Sequence, residues 1–180
     1  MATDIFGLLE AIALAARKHK PQRRKDKKTP YVAHPFRVAT ILREVFEVSD
    51  LDMLAAAVLH DTIEDTDTDY DEILPVVGRR AAEFVAALTK DKRLPEEERE
   101  EAFLDRLVTG GPEVMVIKLA DTYDNLADVI ALPAKQRAKT VAKAEKQWRA
   151  FEGRLGADWE HVKRAFRSHL AKVADADRAR

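Results

Sequence analysis

Ala57-Val58-Leu59-His60-Asp61-Thr62-Ile63-Glu64-Asp65 joins an apolar run to a dense polar one. Residues four apart share a helix face, so a helix through this stretch aligns His60 with Glu64 and Asp61 with Asp65. One short helix then points an imidazole and three carboxylates toward a single region. Upstream, Leu51, Leu54, Ala55 and Val58 recur at helical spacing and predict a face turned to a core. Carboxylates packed this closely repel one another unless a cation gathers some of them. A solvated helix end also carries acids as a matter of course, and this stretch by itself leaves both readings open.

Two distant segments tip the balance toward a metal. Thr29-Pro30-Tyr31-Val32-Ala33-His34-Pro35-Phe36 carries His34, and proline after it predicts a helix start. The apolar stripe Val38, Ile41, Leu42 and Val45 follows. Val116-Ile117-Lys118-Leu119-Ala120-Asp121 places Asp121 after Val114, Ile117 and Leu119 on another helical pattern. A lone His or Asp in such a place is ordinarily structural. Their joint appearance with the His60-Asp61 doublet is harder to dismiss.

In this order and spacing the chain resembles the HD-domain metal-dependent phosphohydrolases, whose pattern is His, then His-Asp, then a distant Asp. Within them it is similar to the alarmone hydrolases: the hydrolase domain of the RelA/SpoT enzymes and the small free-standing hydrolases, including the metazoan SpoT homologue. The residues that carry the resemblance are Gln22 to Asp26, Thr29-Pro30-Tyr31 with His34-Pro35, and His60 to Thr66. Thr89 to Lys92, Leu94-Pro95, and Lys118 to Asp121 with Asn125-Leu126 complete the set, which spans about residues 5–130. The doublet alone is weakly specific; the ordered set is strong. The resemblance implies a bound divalent ion, usually manganese, and removal of pyrophosphate from the 3′ position of (p)ppGpp. Animal members are also associated with removing the 2′-phosphate of NADPH, so the family does not fix one substrate.

The 180 residues are enough for one domain with a real core, and 46% of them are hydrophobic. No apolar run approaches the roughly 20 residues that span a bilayer, and the first residues lack the layout of a signal peptide. There is no cysteine, which excludes disulfides and thiolate metal sites. These features predict a cytoplasmic chain without membrane association. The net charge is −1, but between Arg17 and Lys28 eight Lys or Arg face a single acid, Asp26. Such a surface attracts phosphates; a small nucleotide is expected there in preference to nucleic acid. Oligomeric state is not legible.

Nearly every segment has helical periodicity and none alternates as a strand does. The expected fold is all-α: a single HD-domain globule of eight or nine helices, near 4–19, 35–46, 50–61, 70–76, 78–89, 96–108, 112–131, 134–153 and 157–174. Breaks fall at Pro21, Pro30, Gly78, Pro95, Gly110-Gly111-Pro112, Pro133 and Gly156. Asp50 and Asp69 are expected N-caps. The acidic run Glu96–Glu98 with Glu100 and Glu101 is expected as a solvated helix face, and so is the stripe Lys139, Lys143 and Lys146.

Given the resemblance, the expected ligands of one ion per chain are His34, His60, Asp61 and Asp121. Two imidazoles and two carboxylates suit manganese, with iron, zinc or magnesium as alternatives. The family implies that Glu64 and Asp65 orient or deprotonate the attacking water; which is the base stays open, because close carboxylates titrate together. It also implies an Arg against the guanine, matched by Arg24, with Arg23 as the alternative register. Lys25 and Lys118 are expected on phosphates, with Lys90 and Lys92 as further candidates. Tyr31 is expected at the substrate or buttressing His34, and Asn125 on the ribose or on a ligand carboxylate. The chain departs from the family pattern at Ala127, where an Arg is common, and at Thr122, Tyr123 and Asp124. Residues 134–180 match weakly. A broader nucleotide phosphohydrolase is the second enzymatic reading. A non-catalytic binding module is disfavoured by the intact water-activating pair. A dinuclear centre is disfavoured because His19, His161 and His169 lie outside the motif segments.

Overall fold

The computed structural model of the chain describes residues 2–129 and 132–178, and all its regular elements are helices. They are α1 (Ile5–Lys18), α2 (Ala33–Glu44), α3 (Leu51–Leu59), α4 (Thr62–Asp65), α5 (Tyr70–Leu88), α6 (Glu96–Thr109), α7 (Pro112–Ala127), α8 (Ala134–Phe151) and α9 (Glu160–Arg178). A 3-10 turn at Ala157–Trp159 leads into α9.

Helix α3 is the centre of the molecule. Every residue from Asp52 to Leu59 is buried, as expected of a helix that is apolar on all sides. It packs against α1, α2, α5 and α7. The Asp50 carboxylate caps it, accepting from the backbone N–H groups of Asp52 and Met53. Asp69 caps α5 in the same way, accepting from Glu72. Buried Asp52 is paired with Arg80 at 3.0 Å and with the Thr3 N–H at 2.7 Å. Helices α8 and α9 pack on α7 and on each other, with Trp148 stacked on Phe166. The weakly matching C-terminal residues therefore complete the core around the helix that carries Asp121. Each large apolar side chain fully buried there contributes about 1.5–3 kcal/mol.

Several expected boundaries move for physical reasons. The helix expected over 50–61 stops at Leu59, so no single helix carries His60 through Asp65. His60 Nδ1 binds the Ala57 carbonyl at 2.8 Å, and the Thr62 hydroxyl donates to the Leu59 carbonyl at 2.6 Å. These side chains take the acceptors that the next helical N–H groups need. The chain then restarts as α4. Helix α2 begins at Ala33 rather than 35 and ends at Glu44, followed by Glu47 in the left-handed region at φ 55°. The break expected at Gly78 is present as a kink inside α5, where φ is 75°. The helix expected to 131 ends at Ala127; positions 130 and 131 lie outside the described residues.

Candidate metal centre and its surroundings

Four helices bring the expected ligands together. His34 lies in the first turn of α2, His60 caps the end of α3, Asp61 precedes α4 and Asp121 sits in α7. His34, His60 and Asp121 are all buried and place ligand atoms within 4.8 Å of one another. Asp61 joins them: its Oδ2 is 3.0 Å from His60 Nε2 and 3.7 Å from His34 Nε2. Asp121 Oδ1 is 3.0 Å from His34 Nε2 and 3.7 Å from His60 Nε2. Two imidazole nitrogens thus each face two carboxylate oxygens across one small space.

The far side of each ring is fixed. His34 Nδ1 contacts the Asp124 carboxylate at 2.6 Å, and His60 Nδ1 contacts the Ala57 carbonyl. Carboxylate and carbonyl are acceptors, so both Nδ1 atoms carry hydrogen and both Nε2 lone pairs are free in the neutral rings. Among the described residues the buried His60 Nε2 has no hydrogen-bond partner, its approach to Asp61 lacking the alignment of one. A buried nitrogen left over among carboxylates is the signature of a site shaped for a cation. The donor set of two imidazoles and carboxylates fits a divalent metal ion.

Without an ion the cluster holds protons instead. Burial pulls the His34 pKa down, but Asp121 and Asp124 more than reverse this and lift it to about 9. His60 is also raised: burial opposes this, and the Asp61 charge outweighs it. Asp121 is held low against its burial, first by the Lys118 charge. In the metal-free protein, charged His34 therefore contributes stability that is complete below its unfolded pKa of about 6.5 and lost as pH rises through about 9. A metal taking the His34 Nε2 position would have to displace that proton, and its apparent affinity is then expected to climb with pH up to about 9. Calorimetric titration in buffers of different ionisation enthalpy should show protons released on metal binding at pH 7, and fewer near pH 9.

The remaining expected residues surround this cluster. The Tyr31 hydroxyl donates to Asp61 Oδ2 at 2.6 Å, which makes it a holder of Asp61. Asn125 donates to Asp121 Oδ1 at 2.7 Å, the ligand-carboxylate alternative. Lys118 contacts Asp121 Oδ2. Glu64 Oε2 accepts from the Lys90 N–H at 3.0 Å, and Lys92 holds Asp65 Oδ1 at 2.9 Å. Arg24 donates to Asp128 at 2.8 Å, and its guanidinium lies 5.9 Å from the Tyr31 ring centre. Arg24 and Lys25 line a cleft of about 560 Å³ with Asn125, Leu132 and Pro133.

Other supporting residues were not singled out by sequence. Asp124, counted as a departure from the family pattern, is the buried partner of His34 and of Arg37. His19, set aside as lying outside the motifs, is buried at 1% exposure. Its Nδ1 meets Gln22 Oε1 at 2.7 Å, and the Gln22 amide donates to the Asp65 carbonyl at 2.6 Å. Gln22, which opens the motif Gln22 to Asp26 three residues after His19, was the available signal. The acidic run is not wholly solvated either: Glu100 pairs with Lys90 and Lys143.

A family model described as HD domain matches residues 11–158 of the chain. The chain belongs to the HD domain family. Curated relatives of this HD-domain protein include the human guanosine-3′,5′-bis(diphosphate) 3′-pyrophosphohydrolase MESH1, 43% identical over 130 residues, covering 72% of this chain and 73% of that one. The Aquifex aeolicus enzyme of the same activity name is 33% identical over 149 residues, 81% of this chain and 21% of that longer protein. A solved structure described as a metazoan orthologue of SpoT that hydrolyses ppGpp superposes with a TM-score of 0.79 at 30% identity, covering 93% of this chain and 98% of that one. The resemblance to the alarmone hydrolases and the expectation of a hydrolase are borne out by these relatives. Among the described residues no helix is long and apolar enough to cross a membrane.

Proposed function

We propose that this HD-domain protein is a manganese-dependent (p)ppGpp 3′-pyrophosphohydrolase acting in the cytoplasm. The observation that carries the reading is the pair of buried His34 and His60 Nε2 atoms facing Asp61 and Asp121, each ring pinned from behind. Relatives of 30% identity and more that are named for this activity support the substrate. In this reading His34, His60, Asp61 and Asp121 hold one ion per chain. A divalent ion bound there supplies a Lewis acid that polarises the phosphoryl group and acidifies water.

The chain's own residues do the rest. Tyr31 and Asn125 fix the two carboxylates, Asp61 and Asp121. Glu64 or Asp65 takes a proton from the attacking water. The new bond joins that water oxygen to the phosphorus attached at the 3′ position. The bond from this phosphorus to the 3′ oxygen breaks, the oxygen takes up a proton, and pyrophosphate leaves. Arg24 offers its plane to the guanine; its contact with Asp128 is made through one edge. Lys25 supplies a compact charge for phosphate.

Manganese-loaded protein incubated in parallel with ppGpp, NADPH and a simple phosphomonoester tests this. Pyrophosphate from ppGpp at a higher kcat/KM than phosphate from either other substrate is expected. Preference for NADPH would transfer the reading to a 2′-phosphatase. Arg24→Ala is expected to raise KM for ppGpp about tenfold or more and to leave the phosphomonoester little changed, on the scale of a desolvated cation–π contact. Lys25→Ala should weaken substrates in order of their phosphate number. Steady-state kinetics on ppGpp and the phosphomonoester check both, and an Arg23→Ala effect in place of Arg24→Ala would shift the register by one.

A further inference from the structure

A second cleft, about 410 Å³, runs between α7 and α8 and starts at Asp121. Among the described residues its charged lining is four lysines, Lys25, Lys118, Lys139 and Lys143, against the single carboxylate of Asp121. That carboxylate is the boundary between cleft and metal cluster. Its Oδ1 faces the two imidazoles while its Oδ2 faces the Lys118 ammonium. An ion on the imidazole side would draw on the Asp121 charge and leave the lysines still less compensated.

The lysines are crowded as well as numerous. Lys139 and Lys143 are four apart on α8, where like charges repel. Lys143 and Lys90 share one carboxylate, Glu100. The Lys90 and Lys118 ammonium groups both lie over the Phe103 ring, at 5.2 and 5.3 Å from its centre. Burial first, and with it the neighbouring Lys90, lower the Lys143 pKa in spite of the Glu100 contact, which raises it. Lys139 meets Glu96 only at 3.9 Å, with both side chains largely in solvent. Such a concentration of cations around a concave place, with Lys118 and Lys90 mostly buried and Lys139 at the solvent edge, is unfavourable in the empty protein and favourable around a polyanion.

We propose that this cleft is a subsite for the distal phosphate of a pyrophosphate group whose near phosphate lies at the metal cluster. Lys118 bridges the two ends, and Lys139 and Lys143 close on the outer phosphate from α8. The subsite holds the leaving product of the proposed reaction by its second phosphate. It also favours a diphosphate over a monophosphate at the reacting position. The inference rests on placing the ion at His34, His60, Asp61 and Asp121, but it concerns binding and not turnover. Failure to hydrolyse ppGpp would overturn the proposed function and leave the subsite to be judged by its own measurement.

That measurement is calorimetric titration of inorganic pyrophosphate, and separately of orthophosphate, into manganese-loaded protein freed of unbound metal. Metal content is assayed before and after. Lys139→Ala and Lys143→Ala are each expected to weaken pyrophosphate about tenfold and orthophosphate by no more than about twofold. Lys143→Arg should restore most of the loss. Lys146→Ala, on the same helix but outside the cleft, should change neither ligand. Equal weakening of both anions would overturn the subsite in favour of a general positive field. Unchanged pyrophosphate affinity in both variants would overturn it outright.

Discussion

His60→Ala and Asp61→Ala proteins are expected to lose the divalent ion and turnover together, with hydrolysis down by about 10³-fold or more. A Lewis acid supplies several kcal/mol of transition-state stabilisation, and each 1.4 kcal/mol is about tenfold in rate. The geometry explains why one residue suffices. Among the described residues His60 Nε2 has no hydrogen-bond partner, and Asp61 Oδ2 accepts from Tyr31 while facing both imidazoles. Removing either leaves the remaining donors too few and unbalanced in charge. Metal analysis alongside steady-state rates checks the pair of effects. Full metal occupancy in the Asp61→Ala protein would remove Asp61 from the ligand set.

Glu64→Gln and Asp65→Asn should behave differently: the ion stays and turnover falls by about 2–4 orders of magnitude, the range for loss of acid–base assistance. His34, His60 and Asp121 converge without either carboxylate, so binding of the ion is expected not to depend on them. Both are held in place, Glu64 by the Lys90 N–H and Asp65 by Lys92. Neutral amides keep much of that shape and cannot take a proton. The two variants need not be equal, and the larger loss identifies the base. Wild-type rates in both would return these residues to ordinary helix surface.

The convergence of His34, His60, Asp61 and Asp121 was legible because ligand-type side chains stood out against apolar, helical surroundings. His34, His60 and Asp121 each follow or precede a stripe that can hold them rigid, and their order matched a known pattern. What fixes the rings was not legible. Asp124 reaches His34 across 90 positions, and no local spacing announces such a pair. The interruption between α3 and α4 was also hidden, since it depends on His60 and Thr62 side chains taking backbone acceptors. Lys139 and Lys143 read as a solvated stripe because periodicity reports which residues share a face. Only packing of α8 on α7 shows that this face borders Asp121.

Metal-stripped protein titrated with manganese, while pyrophosphate release from ppGpp is followed, tests the central claim most directly. Activity should be absent without metal and rise to a plateau at one ion per chain. The products should be pyrophosphate and guanosine 5′-diphosphate in equal amounts. Undiminished hydrolysis in the stripped protein, or orthophosphate in place of pyrophosphate, would contradict it.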